Sequence, residues 1–252
     1  MTLRDIRWGQ AKSLRKYENV EMMPQEHAEL LFRIMDVQAD TEFASVQQHR
    51  PWMDQAPTME DRWLQAKVME DEMRHGLQVC QVLRMFGERG SARVEELLSR
   101  KLGDHKLDSF NIPFHEWSDV LAFTCFVDRV GIYQLGMFQE CSFGPLARAI
   151  PLMLHEEQLH IGFGYNGLKR MVQDDSYYGN KEMAQDALCK WFPRALDMFG
   201  HSKSRNSQLA VDAGLKRTTN EVAREQYVKD VRPLIDALGL WMPDPDAGRN
   251  IG

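Results

Sequence analysis

From Pro24 onward, apolar residues return at intervals of three and four in long runs, the spacing that lines one face of an α-helix. Leu31, Met35, Gln38 and Glu42 share a side of the first predicted helix, and Leu64, Val68, Glu72, His75, Val79 and Phe86 a side of the second. A third row runs Leu121, Cys125, Asp128, Ile132, Leu135, and a fourth Ile150, Met153, Leu154, Glu157, His160, Gly164, Leu168.

Stop and start signals frame these rows. Pro24 opens a helix that runs to about Gln48, Pro51 and Pro57 bracket the turn after it, and Thr58-Met-Glu-Asp61 has the form of a capping box. The helix it opens reaches about Phe86 and ends at Gly87 and Gly90. A short helix near Ala92–Lys101, a loop to Pro113 and a third long helix, about Glu116 to Glu140, come next. Ser142-Phe-Gly-Pro145 then sets Pro145 in the first turn of a fourth helix that continues to about Gln173. Two more helices are predicted after Asp174–Asn180, about Lys181–Phe199 and Thr218–Leu238, with a polar loop Gly200–Ser207 between them and an extended tail at Trp241–Pro245. The expected fold is all-α: a ferritin-like four-helix bundle over 24–173 with a long crossover between its second and third helices, extended by the helices of 174–252 within one domain.

Six titratable side chains interrupt the stripes where the period asks for apolar ones. Glu72-Met-Arg-His75 and Glu157-Gln-Leu-His160 each put a carboxylate and an imidazole on one helix face. Glu42 stands 30 residues before Glu72 and Asp128 29 residues before Glu157, so a helix pair bearing a carboxylate and then Glu-x-x-His occurs twice. One Glu-x-x-His is a weak signal; two with matching upstream carboxylates, all on inward stripes, are a specific one. Burying a carboxylate without a partner costs several kcal/mol, so four together demand compensating cations or protons. Two divalent metals balance four carboxylates, and this donor set is that of a carboxylate-bridged di-iron or di-manganese site. Asp71 and Glu156, each just before a proposed ligand, are placed to accept from the far nitrogens of the imidazoles. His155 lies roughly 200° round the helix from Glu157 and faces away. His27, His49, His105, His115 and His201, with Glu70 and Glu140, also fall outside the pattern.

The 252 residues are 43% hydrophobic and 27% charged with a net charge of −6, which suits a globular core and leaves no basic footprint for nucleic acid. Cys80, Cys125, Cys141 and Cys189 lie far apart and read as thiols of a reducing compartment. With no signal-peptide core and no apolar run of membrane-spanning length, a cytoplasmic protein is expected. Residues 1–23 read as a polar arm with Trp8, Tyr17, Met22 and Met23 as docking points, packed either loosely or on a partner chain.

The stretches APT and AKVMEDEMRHGL (within Ala56–Leu77), FVDRVGIYQ (Phe126–Gln134), SFGPLARA with HEEQLH (within Ser142–His160), KWFPRALDMFG (Lys190–Gly200), and LKRTTNEVAREQYV leading to ALGLWMPDPD (Leu215–Asp246) carry a resemblance. On them, the chain resembles the catalytic α-subunit of the phenylacetyl-CoA epoxidase family of multicomponent di-iron monooxygenases. The resemblance implies Glu42, Glu72, His75, Asp128, Glu157 and His160 as iron ligands, with Lys67, Lys216 and Asn220 along the CoA chain of an aryl-acyl thioester. It also implies two partners, a flavin and iron–sulfur reductase and a related non-catalytic ferritin-like subunit. The chain departs from the family pattern at Met73-Arg74, at Ile161-Gly162 and in stopping soon after Pro245. Phe43, Val68, Phe126 and Leu135 are expected to line the substrate cavity. The rival readings are a ferroxidase or peroxide scavenger with the same ligands, a radical-generating subunit, and a metal-free scaffold. Tyr133, about 140° round the helix from Asp128, is poorly placed for the radical role, and intact ligands argue against the scaffold.

Overall fold

The computed structural model describes residues 16–174 and 176–251; the expectation for Trp8 lies outside them. Two long helices, α1 (Gln25–His49) and α2 (Met59–Arg84), fold back on each other across a short turn. Thr58 caps α2 by accepting from the Asp61 backbone N–H at 3.1 Å, as the capping pattern predicts. At Gly87 the chain takes φ 69° and turns into α3 (Gly87–Ser99), which begins earlier than the expected short helix because this corner directly follows α2.

The crossover returns the chain past α1 and is tied to it by charge. Asp36 of α1 receives Arg93 and Lys106, while Asp40 receives Arg100, the backbone N–H of Lys106 and His105. His105 is therefore a buried structural histidine, remote in role from the ligand stripes.

The third long helix is broken. It comprises α4 (Trp117–Ala122), a π-helical turn over Phe123–Val127, and α5 (Arg129–Phe138). Within the turn, the Asp128 N–H reaches back five residues to the Phe123 carbonyl at 3.1 Å. The sequence expectation of one regular helix over 116–140 misses this, since no proline or glycine marks the insertion. Side chains take up carbonyls at the turn: Arg129 Nε donates to the Cys125 oxygen at 2.8 Å and Tyr227 Oη to the Phe126 oxygen at 2.8 Å. By length and composition Trp117–Phe138 could cross a bilayer, contrary to the sequence expectation, yet 89% of its most apolar window is buried in the bundle.

The fourth long helix, α6 (Gly144–Gln173), packs on α2, α4 and α5 and completes a ferritin-like bundle. Beyond it, α7 (Lys181–Asp197) packs on α4 and the π turn, and α9 (Asn220–Ala237) on α5. Residues read as the end of a polar loop form α8 (Arg205–Asp212), capped by Ser204. Tyr17 pairs with its own chain: its N–H donates to the Ser142 oxygen at 2.7 Å and its carbonyl accepts from Gly144 at 2.8 Å. Cys80, Cys125 and Cys141 are buried free thiols.

Candidate metal centre

All six stripe residues, Glu42, Glu72, His75, Asp128, Glu157 and His160, are buried at the centre of the bundle. Glu42 comes from α1, Glu72 and His75 from α2, Asp128 from the end of the π turn, and Glu157 and His160 from α6. They form two overlapping groups, Glu42–His75–Glu157 and Glu72–Glu157–His160, whose ligand atoms lie within 4.8 Å of one another. Glu157 belongs to both.

The imidazoles are held from behind. His75 Nε2 lies 2.9 Å from Glu156 Oε2 of α6, and His160 Nε2 lies 3.3 Å from Asp71 Oδ2 of α2. A carboxylate at Nε2 keeps the proton there and turns the Nδ1 lone pair inward. The inner nitrogens approach only carboxylates: His75 Nδ1 is 3.6 Å from Glu42 Oε2 and from Glu157 Oε1, and His160 Nδ1 is 3.3 Å from Glu72 Oε1 and 3.5 Å from Glu157 Oε2. None is a hydrogen bond. His75 Nδ1, His160 Nδ1, Glu157 Oε2 and Asp128 Oδ2 are all buried without a hydrogen-bond partner. Four orphaned donor atoms converging on one point are costly in a bare core and are what a pair of cations would use. The residues fit a dimetal centre.

Charge says the same. Burial, then the neighbouring carboxylates, lifts Glu72 well above the usual carboxyl range, and burial followed by Glu157 does so for Asp128. Burial opposes the charged form of His75, but its bond to Glu42 prevails and raises it to about 9. At His160 burial is likewise outweighed, by Asp71 and then Glu157. Burial works against Asp71 too, yet His160, Lys67 and Arg74 hold it well below the carboxylate range. Arg74 clamps both anchors, at 2.6 Å from Asp71 Oδ1 and 2.5 Å from Glu156 Oε1.

A cavity of about 320 Å³ opens against Glu42, Glu72, Asp128 and Glu157. Its wall is mainly apolar, with Ile34, Val37, Phe110, Val127 and Phe199 among its residues. Lys216 and Asn220 also reach it. Lys216 Nζ donates to Gln134 Oε1 at 3.2 Å, and burial pushes its ammonium down to about 8. The resemblance puts Lys67 beside them; instead its ammonium bonds Glu70 at 2.6 Å and Asp71 at 2.5 Å, and it is not part of this wall. Phe43, Val68, Phe126 and Leu135 are buried core residues outside the wall, so that expectation is corrected. The reason is geometric: α5 turns Gly131, Gln134 and Phe138 to the cavity, roughly a quarter turn from the stripe of Ile132 and Leu135. Gly200 and Asn206, from the loop read as a partner surface, line the cavity too. Tyr133 points away and donates to Asp230 Oδ2 at 2.8 Å. His155 is exposed on the outer face of α6.

The sequence model of the family described as "Phenylacetic acid catabolic protein" matches residues 9–252. The chain belongs to this family. Among phenylacetic acid catabolic proteins, it is 30% identical over 233 residues to the A chain of the 1,2-phenylacetyl-CoA epoxidase of Escherichia coli (strain K12), covering 91% of this chain and 74% of that protein. It is 35% identical over 173 residues to "Benzoyl-CoA oxygenase component B" of Aromatoleum evansii, covering 67% of this chain and 36% of that protein. The resemblance drawn from the motifs is thus to the right family, and the named relatives are parts of an epoxidase and an oxygenase.

One neighbour of the site escaped the sequence reading. His49 is fully buried, with Nε2 3.9 Å from Asp128 Oδ2, and Gln65 Nε2 donates to its Nδ1 at 2.9 Å. The signal was available: His49 follows Glu42 by seven residues and Gln65 precedes Glu72 by seven, so each shares the face of a proposed ligand two turns away.

Proposed function

We propose that this chain is the oxygen-activating subunit of a multicomponent di-iron monooxygenase that takes an aryl-acyl CoA thioester. The observation that carries this reading is the pair of buried ligand groups sharing Glu157 on the wall of an apolar cavity. Glu72 and Glu157 would bridge or chelate the ions, His75 and His160 would bind one each, and Glu42 and Asp128 would be terminal carboxylates. Manganese suits the same donors. When bound, the two ions would supply oxygen activation and redox capacity.

The protein's own residues do the rest. Asp71 and Glu156 fix the tautomers of the imidazoles, and the bundle keeps bulk water from the centre. A volume near 320 Å³ accepts an aryl-acyl group and leaves the nucleotide of CoA outside. A Cβ at Gly131 would stand 3.5 Å from the Glu157 carboxylate, so its absence widens the space beside the ligands. Lys216 and Asn220 offer N–H donors to the thioester end. The partners would be a flavin and iron–sulfur reductase and a related structural subunit, in keeping with relatives named as parts of larger enzymes.

Anaerobic loading with ferrous iron followed by elemental analysis tests the centre: two ions per chain are expected, and one or none removes the dimetal assignment. Calorimetric binding of phenylacetyl-CoA and benzoyl-CoA against the free acids tests the substrate class. Equal affinity for acid and thioester would leave the metals standing and remove CoA.

A further inference from the structure

Asp128 is held differently from the other ligands. Glu42 Oε1 accepts from Gln38 Nε2 at 2.7 Å, and both imidazoles have carboxylates behind them. Asp128 Oδ2 is buried with no hydrogen-bond partner, and the polar atom set opposite it, at 3.9 Å, is His49 Nε2, itself buried and unpartnered. The His49 ring is boxed edge-on by Phe114 and Phe123, at centroid distances of 5.2 and 5.9 Å.

The proton on this ring can be placed. Gln65 Nε2 lies 3.0 Å from the His49 carbonyl oxygen and 2.9 Å from His49 Nδ1. A carbonyl only accepts, so the Gln65 group facing it is the amide NH2, and its second hydrogen goes to Nδ1. Nδ1 is then an acceptor, and the neutral ring carries its hydrogen on Nε2. A protonated Nε2 has no lone pair for a metal. Facing a carboxylate, it is a donor.

Resting on the dimetal reading above, we propose that His49, its tautomer fixed by Gln65, is a positioning residue that donates from Nε2 to Asp128 and orients that carboxylate as a terminal ligand. Closing 3.9 Å to hydrogen-bond length takes a shift of about 1 Å, within reach of a carboxylate drawn onto a cation. The arrangement extends to a carboxylate ligand the outer hydrogen bonding that carboxylates give the two imidazoles, with donor and acceptor exchanged. Gln65 and His49 are thus an added arm of the centre, built from α1 and α2 and bearing on the ligand of the π turn.

The test is stepwise Co(II) binding to the full chain, followed by the visible absorption of the bound ion, in wild type, His49→Phe, His49→Gln and Gln65→Met. Gln carries an N–H where Nε2 sits, so it keeps the donor, while Phe keeps only the shape. Loss of such an outer hydrogen bond weakens metal binding about 10–100-fold. We expect His49→Phe to weaken one of the two steps by that factor and shift its absorption, with two ions still bound at saturation. His49→Gln should stay within about threefold of wild type, and Gln65→Met should weaken the same step, carrying the test if the Phe variant does not fold. Unchanged steps in Gln65→Met and His49→Phe, or a fall to one ion per chain in His49→Phe, would overturn the proposal. The first would mean His49 only packs, and the second that it ligates. Failure of wild type to bind two ions would instead overturn the dimetal reading.

Discussion

A histidine on a buried helix face has two nitrogens, and what each touches decides what the ring can do. In His160 one nitrogen meets Asp71 and the other faces Glu72 and Glu157 without a hydrogen bond, whereas His155, five residues earlier, is exposed on the opposite face. Replacing His160 by Ala should abolish one of two metal-binding steps, and His155→Ala should leave both within about twofold. Equal losses would mean that these imidazole environments do not govern binding. Protons provide a second test at this scale. Without cations, Glu72, Asp128 and His75 all favour their protonated forms, His75 up to about 9. A cation must displace these protons, so affinity should rise with pH from 6 towards 9, with protons released on binding at pH 7. Calorimetry in two buffers of different ionisation enthalpy measures the release, and a value of zero would contradict this picture.

The element that matters most is the π turn. It delivers Asp128, and it survives because other elements take up what it frees. Tyr227 of α9 donates to the Phe126 carbonyl, and Gly164 of α6 lets the two backbones approach: a Cβ there would lie 2.5 Å from the Cys125 nitrogen. Gly164→Ala therefore presses on backbone, and overpacking of this kind costs about 1–3 kcal/mol. Tyr227→Phe leaves a buried carbonyl without its donor, at about 1–3 kcal/mol. Thermal unfolding should show both losses. Metal titration should show weaker binding in Gly164→Ala, since the displaced turn carries Asp128. A destabilised Gly164→Ala with unaltered metal binding would separate the turn from the site. This element also marks where sequence reading stopped. The stripes through Glu42, Glu72 and Glu157 were legible because regular helices obey a period of 3.6. A π turn adds a residue without a compositional mark, so the face α5 gives the cavity could not be read from the row Leu121, Cys125, Asp128, Ile132. His49 and Gln65 were legible by spacing and were passed over because a histidine outside a Glu-x-x-His pair looks like ordinary core.

At the scale of the molecule, the helices after α6 do more than extend the bundle. Met198, Phe199, Lys216 and Asn220 wall the cavity from outside the four long helices, so bundle and extension together define what can enter. The sequence showed these helices but not their side of the bundle, because amphipathic period says which face is buried and not against what. A chain that supplies ligands and a cavity still needs a source of electrons. The isolated, iron-loaded chain should therefore turn over poorly with chemical reductant alone and gain at least about tenfold when a reductase and a related structural chain are added. Oxygen uptake coupled to product, measured by mass spectrometry, decides this; full activity from the single chain would count against the multicomponent assignment.

The two halves of the centre meet much as the protomers of a twofold dimer do, for α2 anchors the imidazole of α6 through Asp71 and α6 anchors that of α2 through Glu156. A repeat of this kind would make the two halves interchangeable. Arg74 breaks the equivalence: it binds both anchors, yet its counterpart in the second motif is Leu159, which can bind neither. One cationic clamp serving both sides from α2 leaves the halves alike in ligands and unlike in grip. Two chemically identical ions would then meet unequal hosts, an asymmetry written into the chain before any substrate arrives to impose one.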